Sequence, residues 1–236
     1  MASVFKRKGL GILSAIVAFC GLVMIAAALI TEYWVNADLR YEVQVTENNR
    51  TSTKEQDGGT KHFGLFSGST AQNLGLGSRE RDFKVIDEFE NVANDKVVWA
   101  TVGFCVLSFP FILIGIVMSC YNEFSKPNLV LFGSIGICIV HGLAFIMLLV
   151  AVCLYASLFE IQLKKNVLRP EDKKVGFEST GRARLDYSFW MLLGSAGVVL
   201  LSPLLFLLSK VHLTHYFKTS HQTKEPAPTD HGVMLY

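Results

Sequence analysis

Hydrophobic positions fall into four unbroken runs, at 10–30, 97–120, 129–158 and 187–209, and polar stretches separate them. A helix needs about 20 apolar residues to cross a bilayer, and each run reaches that length. None of the four contains Asp, Glu, Lys or Arg. Helices apolar all round cannot all be buried inside a soluble domain of this size. The pattern therefore predicts an all-α membrane protein built on a four-helix transmembrane bundle. The first run is preceded by Lys6, Arg7 and Lys8, as a signal peptide would be. A signal-peptide core spans only about 7–15 residues, whereas this run is longer and continues into the interfacial aromatic pair Tyr33-Trp34. It reads as a span.

The spans leave a short N-terminal tail (1–9), a long first loop (31–96), a link (121–128), a second loop (159–186) and a C-terminal tail (210–236). A connection as long as the first loop rarely lacks structure of its own. Within it Leu39, Tyr41, Val43 and Val45 alternate with polar residues, as do Phe83 and Val85. Period-two alternation marks half-buried strands, so a small antiparallel sheet is expected on one side of the membrane. The polar tip, 47–61, shows no periodicity and predicts a mobile turn. Between tip and second strand lies a compact motif, Phe63-Gly64-Leu65-Phe66-x-Gly68, followed by Gly75-Leu76-Gly77. Glycines spaced this way suit tight turns with positive φ, and Phe63, Leu65 and Phe66 would pack the turn onto an apolar surface. Trp34 precedes the whole unit.

Topology follows from charge. Lys6, Arg7 and Lys8 favour a cytoplasmic N-terminus, and the sequon Asn49-Arg50-Thr51 places the first loop outside as a glycosylation site. Both termini are then cytoplasmic. The basic residues of the second loop, Lys164 to Arg184, run against a simple positive-inside count. A net charge of +2 gives no reason to expect a nucleic-acid partner. Cys20, Cys105, Cys120, Cys138 and Cys153 all lie in or at the ends of spans. No loop disulfide or Cys/His metal spacing is available, and no cofactor is expected. No acid pair, nucleophile–base arrangement or phosphate loop stands out, so catalysis is not expected.

Within lipid, helices associate through small residues and hydrogen bonds. Ser14 and Ala18 form such a face on the first span, and Ser134, Cys138 and Gly142 form one on the third. The third-span stripe is expected to pack inward against Ser14 and Ala18. His141 is either a functional intramembrane group or a neutral histidine bonded to a neighbouring helix. Pro110 should kink the second span. The carboxy-terminal Met234-Leu235-Tyr236 has the extended hydrophobic pattern that a PDZ domain accepts as an added strand.

Taken in order, these motifs resemble the clarin family of the claudin-like tetraspan superfamily. The first-loop motif with its Gly75-Leu76-Gly77 turn is similar to the clarin YGLFxG…GLG. Tyr121-Asn122-x-Phe124-x-Lys126-Pro127 is similar to the clarin link, and Ser188-Phe189-Trp190 opens the last span as in clarins. The resemblance implies a bundle topped by a small extracellular sheet (a claudin-like fold), plasma-membrane residence and a role in organising membrane assemblies in sensory cells such as hair cells. The implied partners are the lipid bilayer and another integral membrane protein, a channel or an adhesion complex. Clarins like the founding member carry two first-loop cysteines, where Tyr41 and Leu74 stand here. The chain is thus closest to the branch lacking that pair, and its sheet must hold by packing alone.

Overall fold

The computed structural model describes residues 2–47, 50–73, 77–89, 93–124 and 133–222, with side chains over 11–41, 55–73, 77–88, 93–124 and 133–208. Helix α1 (Ala2–Ile30) leads into strands β1 (Val35–Glu47), β2 (Arg50–Phe63), β3 (Ser67–Asn73) and β4 (Ser78–Lys84). A short α2 (Val85–Phe89) then precedes the long helices α3 (Asp95–Phe124) and α4 (Ser134–Leu158). After a π-helical turn, Phe159–Leu163, come α5 (Pro170–Lys174), β5 (Phe177–Glu178), β6 (Ala183–Leu185) and α6 (Tyr187–Gln222).

Four segments are long and apolar enough to cross a bilayer: Gly11–Ile30, Asp95–Phe124, Ser134–Leu163 and Tyr187–Leu208. In the bundle α1 packs on α6 and α3, α3 on α4, and α4 on α6, closing a ring of four. Large apolar side chains such as Phe19, Leu113, Val117 and Ile146 point outward, as lipid-facing positions must. Pro110 and Pro203 both lie inside helices. The π turn closes with Lys164 N–H donating to the Phe159 carbonyl at 2.8 Å. It carries α4 beyond the apolar run toward the sheet, where Gln162 Oε1 accepts the Asn94 N–H at 2.7 Å.

The sheet covers the end of the bundle where α1 and α4 finish and α3 and α6 begin. It has six strands in the order β4-β3-β2-β1-β5, with β6 also on β1, and every pairing is antiparallel. It differs from what the alternation implied in three respects. Residues 50–63, which include most of the expected mobile tip 47–61, form β2 and pair with β1 from Val35↔Phe63 to Glu47↔Arg50. The second loop supplies β5 and β6. Val85 lies in α2 rather than in a strand, because β4 ends at Lys84.

The glycine dipeptide in β2 is a bulge. Pairing shifts between Leu39↔Gly59 and Arg40↔Asp57, leaving Gly58 extra. Gly59 takes φ +106°, which only glycine adopts readily. Beyond Tyr41 the β1–β2 ribbon runs on with no further strand beside it among the described residues. On one side β3 pairs with β2 only from Gly59, and on the other β5 reaches β1 only as far as Tyr41.

Candidate functional site

The sheet meets the bundle at Trp34, which is fully buried. Its indole N–H donates to the Ala28 carbonyl at 2.6 Å, satisfying one of the orphan acceptors at the end of α1. Its backbone N–H donates to Phe63 at 3.0 Å, and its carbonyl accepts the Asp186 N–H at 2.9 Å. One residue thus joins the end of α1, the end of β2 and the start of α6. The ring lies edge-on to Tyr155 of α4, centroids 4.6 Å apart, and to Phe189 of α6 at 6.3 Å. Beside it Tyr33 stacks between His62 at 4.5 Å and Tyr187 at 5.2 Å.

The aromatic-glycine motif fits around this anchor. Phe63 and Leu65 are buried, as expected. Phe66 is not: it is 45% exposed and stands edge-on to Trp99 at 6.4 Å, outside the turn's packed face. Among the described glycines of the motif, only Gly77 has positive φ. Gly64 and Gly68 are required for space instead. A Cβ on Gly64 would strike the Thr31 carbonyl oxygen and come within 2.9 Å of Glu32 Cα, and one on Gly68 would meet Phe63 and His62. Gly58 is tighter than its expected place in a mobile tip would allow. Its Cβ would lie 3.0 Å from the Arg40 backbone and from the Phe177 ring. Gly64→Val should therefore lower stability by about 1–3 kcal/mol, the usual range for overpacking. Gly58→Val should cost less, because the Phe177 ring can turn away. Melting of both purified variants in mild detergent tests the order, and equal melting would remove the close-approach account of Gly64.

A second constellation locks the two loops together. Lys61 of β2 and Glu88 of α2 are each only 1% exposed, and Lys61 Nζ lies 2.7 Å from Glu88 Oε1. The ammonium also donates to the Val167 carbonyl at 2.9 Å and sits 4.8 Å from the centre of the Phe83 ring. Arg169 contacts the other oxygen of Glu88, and Arg81 approaches that oxygen to 3.7 Å. Burial pushes the Lys61 ammonium below the ordinary lysine value, while Glu88 beside it acts in the opposite sense. Outer contacts repeat the connection, with Arg182 on Glu55 at 3.0 Å and Gln72 donating to Asp172 at 3.2 Å. Sequence reasoning passed over Lys61. The available signal was its place two residues from Gly59 and Phe63, on the same inward face of a strand.

Inside the bundle a polar layer connects α1, α4 and α6, and α3 packs against it. Ser14 Oγ donates to the Ser202 carbonyl at 2.8 Å, and Ser202 Oγ lies 2.9 Å from the Ser14 carbonyl. Ser202 Oγ also lies 3.4 Å from Nε2 of His141, whose Nδ1 is 3.0 Å from the Ile137 carbonyl. The His141 ring fills the space left by Gly115 of α3, where any Cβ would strike it. His141 is therefore bonded to a neighbouring helix. The expected pairing of small-residue faces is corrected. Ser14 and Ala18 are indeed fully buried, but Ser14 meets α6 rather than α4. Ser134, Cys138 and Gly142 are only half-buried, and nothing lies within 4 Å of a Cβ on Gly142. The buried face of α4 instead runs through Ile137, His141, Ala144, Leu148 and Ala151. Gly115→Ala should destabilise the bundle by about 1–3 kcal/mol, whereas Gly142→Leu should melt like the parent. The reverse order would return the packed face to the stripe.

Asn49 and Gly75 of the first loop, and Met234, Leu235 and Tyr236 at the C-terminus, lie outside the described residues. All five cysteines are free, and Tyr41 packs on Phe177 with centroids 5.6 Å apart.

Four membrane-length helices ring-packed beneath an antiparallel sheet define a tetraspan membrane protein with a claudin-like fold. The family model described as Clarin-2-like matches residues 5–206, so the chain belongs to that family. No curated protein matches it.

Proposed function

We propose that this protein acts by binding, as a clarin-like organiser or auxiliary subunit of a membrane protein assembly. It would reside in the plasma membrane with both termini cytoplasmic, the sheet outside and Asn49 glycosylated. The observation that carries this reading is the β1–β2 ribbon. It extends past its neighbouring strands with both edges open, on a base that the Lys61–Glu88–Arg169 cluster fixes to the second loop. A rigidly mounted ribbon with open backbone edges is suited to hold a partner.

The partner in this reading is another integral membrane protein of the same membrane, a channel or an adhesion complex. By the family resemblance, such an assembly would belong to sensory cells, with a role in hearing. Met234-Leu235-Tyr236 would add a cytoplasmic PDZ-domain contact. Deleting residues 43–54 should abolish co-purification of the partner from native membrane in mild detergent while the purified variant melts like the parent. Retention of the partner by the deletion would refute the ribbon's role. Two other readings make opposite predictions. A cell–cell adhesion or barrier protein would link separate vesicles head to head, and a pore or transporter would carry flux in liposomes holding only this chain. Asn49 tests the topology separately: a glycosidase-sensitive shift that disappears in Asn49→Gln places the first loop outside.

A further inference from the structure

Where the sheet meets α3 there is an open cavity of about 360 Å³, beside the Phe66–Trp99 pair. Leu65, Val85 and Val98 form its buried floor, and the outward-standing Phe66, Ile86 and Trp99 form its walls. Lys84 and Asp95 also line it, and among the described residues the ion pairs leave both without a partner. Along α3 the lining runs from Asp95, the first residue of the helix, to Val102. Seven residues of α-helix cover roughly 10 Å. The groove therefore starts at a charged rim beside the sheet and descends along a membrane-spanning helix into apolar surroundings. An apolar recess of this kind facing water would be an aggregation liability, but here its open side is continuous with the lipid-facing side of α3, where Val106 and Leu107 are also exposed. Trp99 stands at the level where amphipathic rings mark the membrane boundary.

We propose that this groove is a binding site for a single zwitterionic glycerophospholipid from the leaflet next to the sheet. The upper part of one acyl chain lies between Phe66, Ile86 and Trp99 and ends near Val102. At the rim the Lys84 ammonium faces the lipid phosphate, and the Asp95 carboxylate faces the head-group ammonium. A rim of one sign would select a charged lipid. The opposite charges of Lys84 and Asp95 match a head group that carries both.

The test reconstitutes the full chain in phosphatidylcholine vesicles doped with phosphatidylcholine bearing a diazirine on the acyl chain near the glycerol. A parallel preparation carries the same chain on phosphatidylglycerol. After illumination, labelled positions are mapped by peptide mass spectrometry. Tyr187 and Trp190, which are exposed at the same end of the bundle on α6, report ordinary contact with lipid at that depth. The expected result is several-fold more phosphatidylcholine label at Phe66, Ile86 and Trp99 than at Tyr187 and Trp190, with no such excess for phosphatidylglycerol. Val102→Trp, which fills the lower end of the groove, should remove the excess and leave the label at Tyr187 and Trp190 unchanged. Asp95→Asn, which removes the carboxylate that faces the head-group ammonium, should abolish the preference between head groups. Labelling of the groove no greater than at Tyr187 and Trp190 would overturn the proposal, as would equal excess for both lipids.

Discussion

Trp34→Ala is expected to cost about 3–5 kcal/mol, the range for removing a buried large aromatic side chain, and to separate the sheet from the bundle. The substitution leaves a cavity between Tyr155 and Phe189 and removes the shorter of the two hydrogen bonds to the Ala28 carbonyl, leaving the Thr31 hydroxyl at 3.2 Å. The companion change Tyr155→Phe sets the contrast. The Tyr155 hydroxyl is buried and has no hydrogen-bond partner among the described residues, so losing it should leave stability unchanged or slightly raised while the ring contact with Trp34 is kept. Thermal melting of both variants in mild detergent, with proteolysis of the first loop as a local probe, tests the pair. A Trp34→Ala protein that melts like the parent with its loop still protected would show that the anchor lies elsewhere.

Glu88→Gln should be comparably severe. Breaking one side of a buried ion pair typically costs about 3–5 kcal/mol, because the remaining charge stays buried and unpaired. Here the stranded group is Lys61, enclosed by Phe83 and the Val167 carbonyl. Lys61→Met should cost less, since Glu88 keeps Arg169, which retains some access to water. The asymmetry is diagnostic: a merely local salt bridge would give equal losses from either side. Lys61→Met combined with Glu88→Leu should recover part of the Glu88→Gln loss, and a double-mutant cycle measures the coupling directly. Additive effects would mean that the two side chains do not hold each other.

The spans were legible because lipid imposes a strong, simple code: long apolar runs without charge. Trp34, Phe63 and Leu65 were legible because bulky aromatic and aliphatic residues beside glycine have few places to go except a packed turn. Strand β2 was hidden for the opposite reason. That half of the ribbon has no apolar residue in its sequence, so Arg50 to Asp57 reads as polar sequence without period, and Gly58-Gly59 reads as a break although it forms a bulge. Strands β5 and β6, at two and three residues, are too short to show alternation. The ion cluster was invisible because lysine and glutamate normally mark surface, and only the fold brings Lys61, Glu88 and Arg169 together across the sheet, α2 and the second loop. The stripe of Ser134, Cys138 and Gly142 misled because small residues four apart fit either a packed groove or an open one. The tight approach is made by Gly115 and His141 instead.

The pairing of β1 with β6 also sets a timetable for biosynthesis. Val35, Asn36 and Ala37 hydrogen-bond in register with Leu185, Arg184 and Ala183, and Thr31 and Tyr33 reach Ser188 at the start of the last helix. The first loop is made early, but its central strand acquires one neighbour only when the ribosome has added roughly 150 more residues, which takes on the order of ten seconds or more at typical elongation rates. Until α6 enters the membrane, Trp34 has no Phe189 to close over it and the edge of β1 stays open. A nascent chain stalled before α6 would therefore present an unfinished sheet to the quality-control machinery, and two co-expressed fragments divided between α4 and β5 would have to find each other through that same edge.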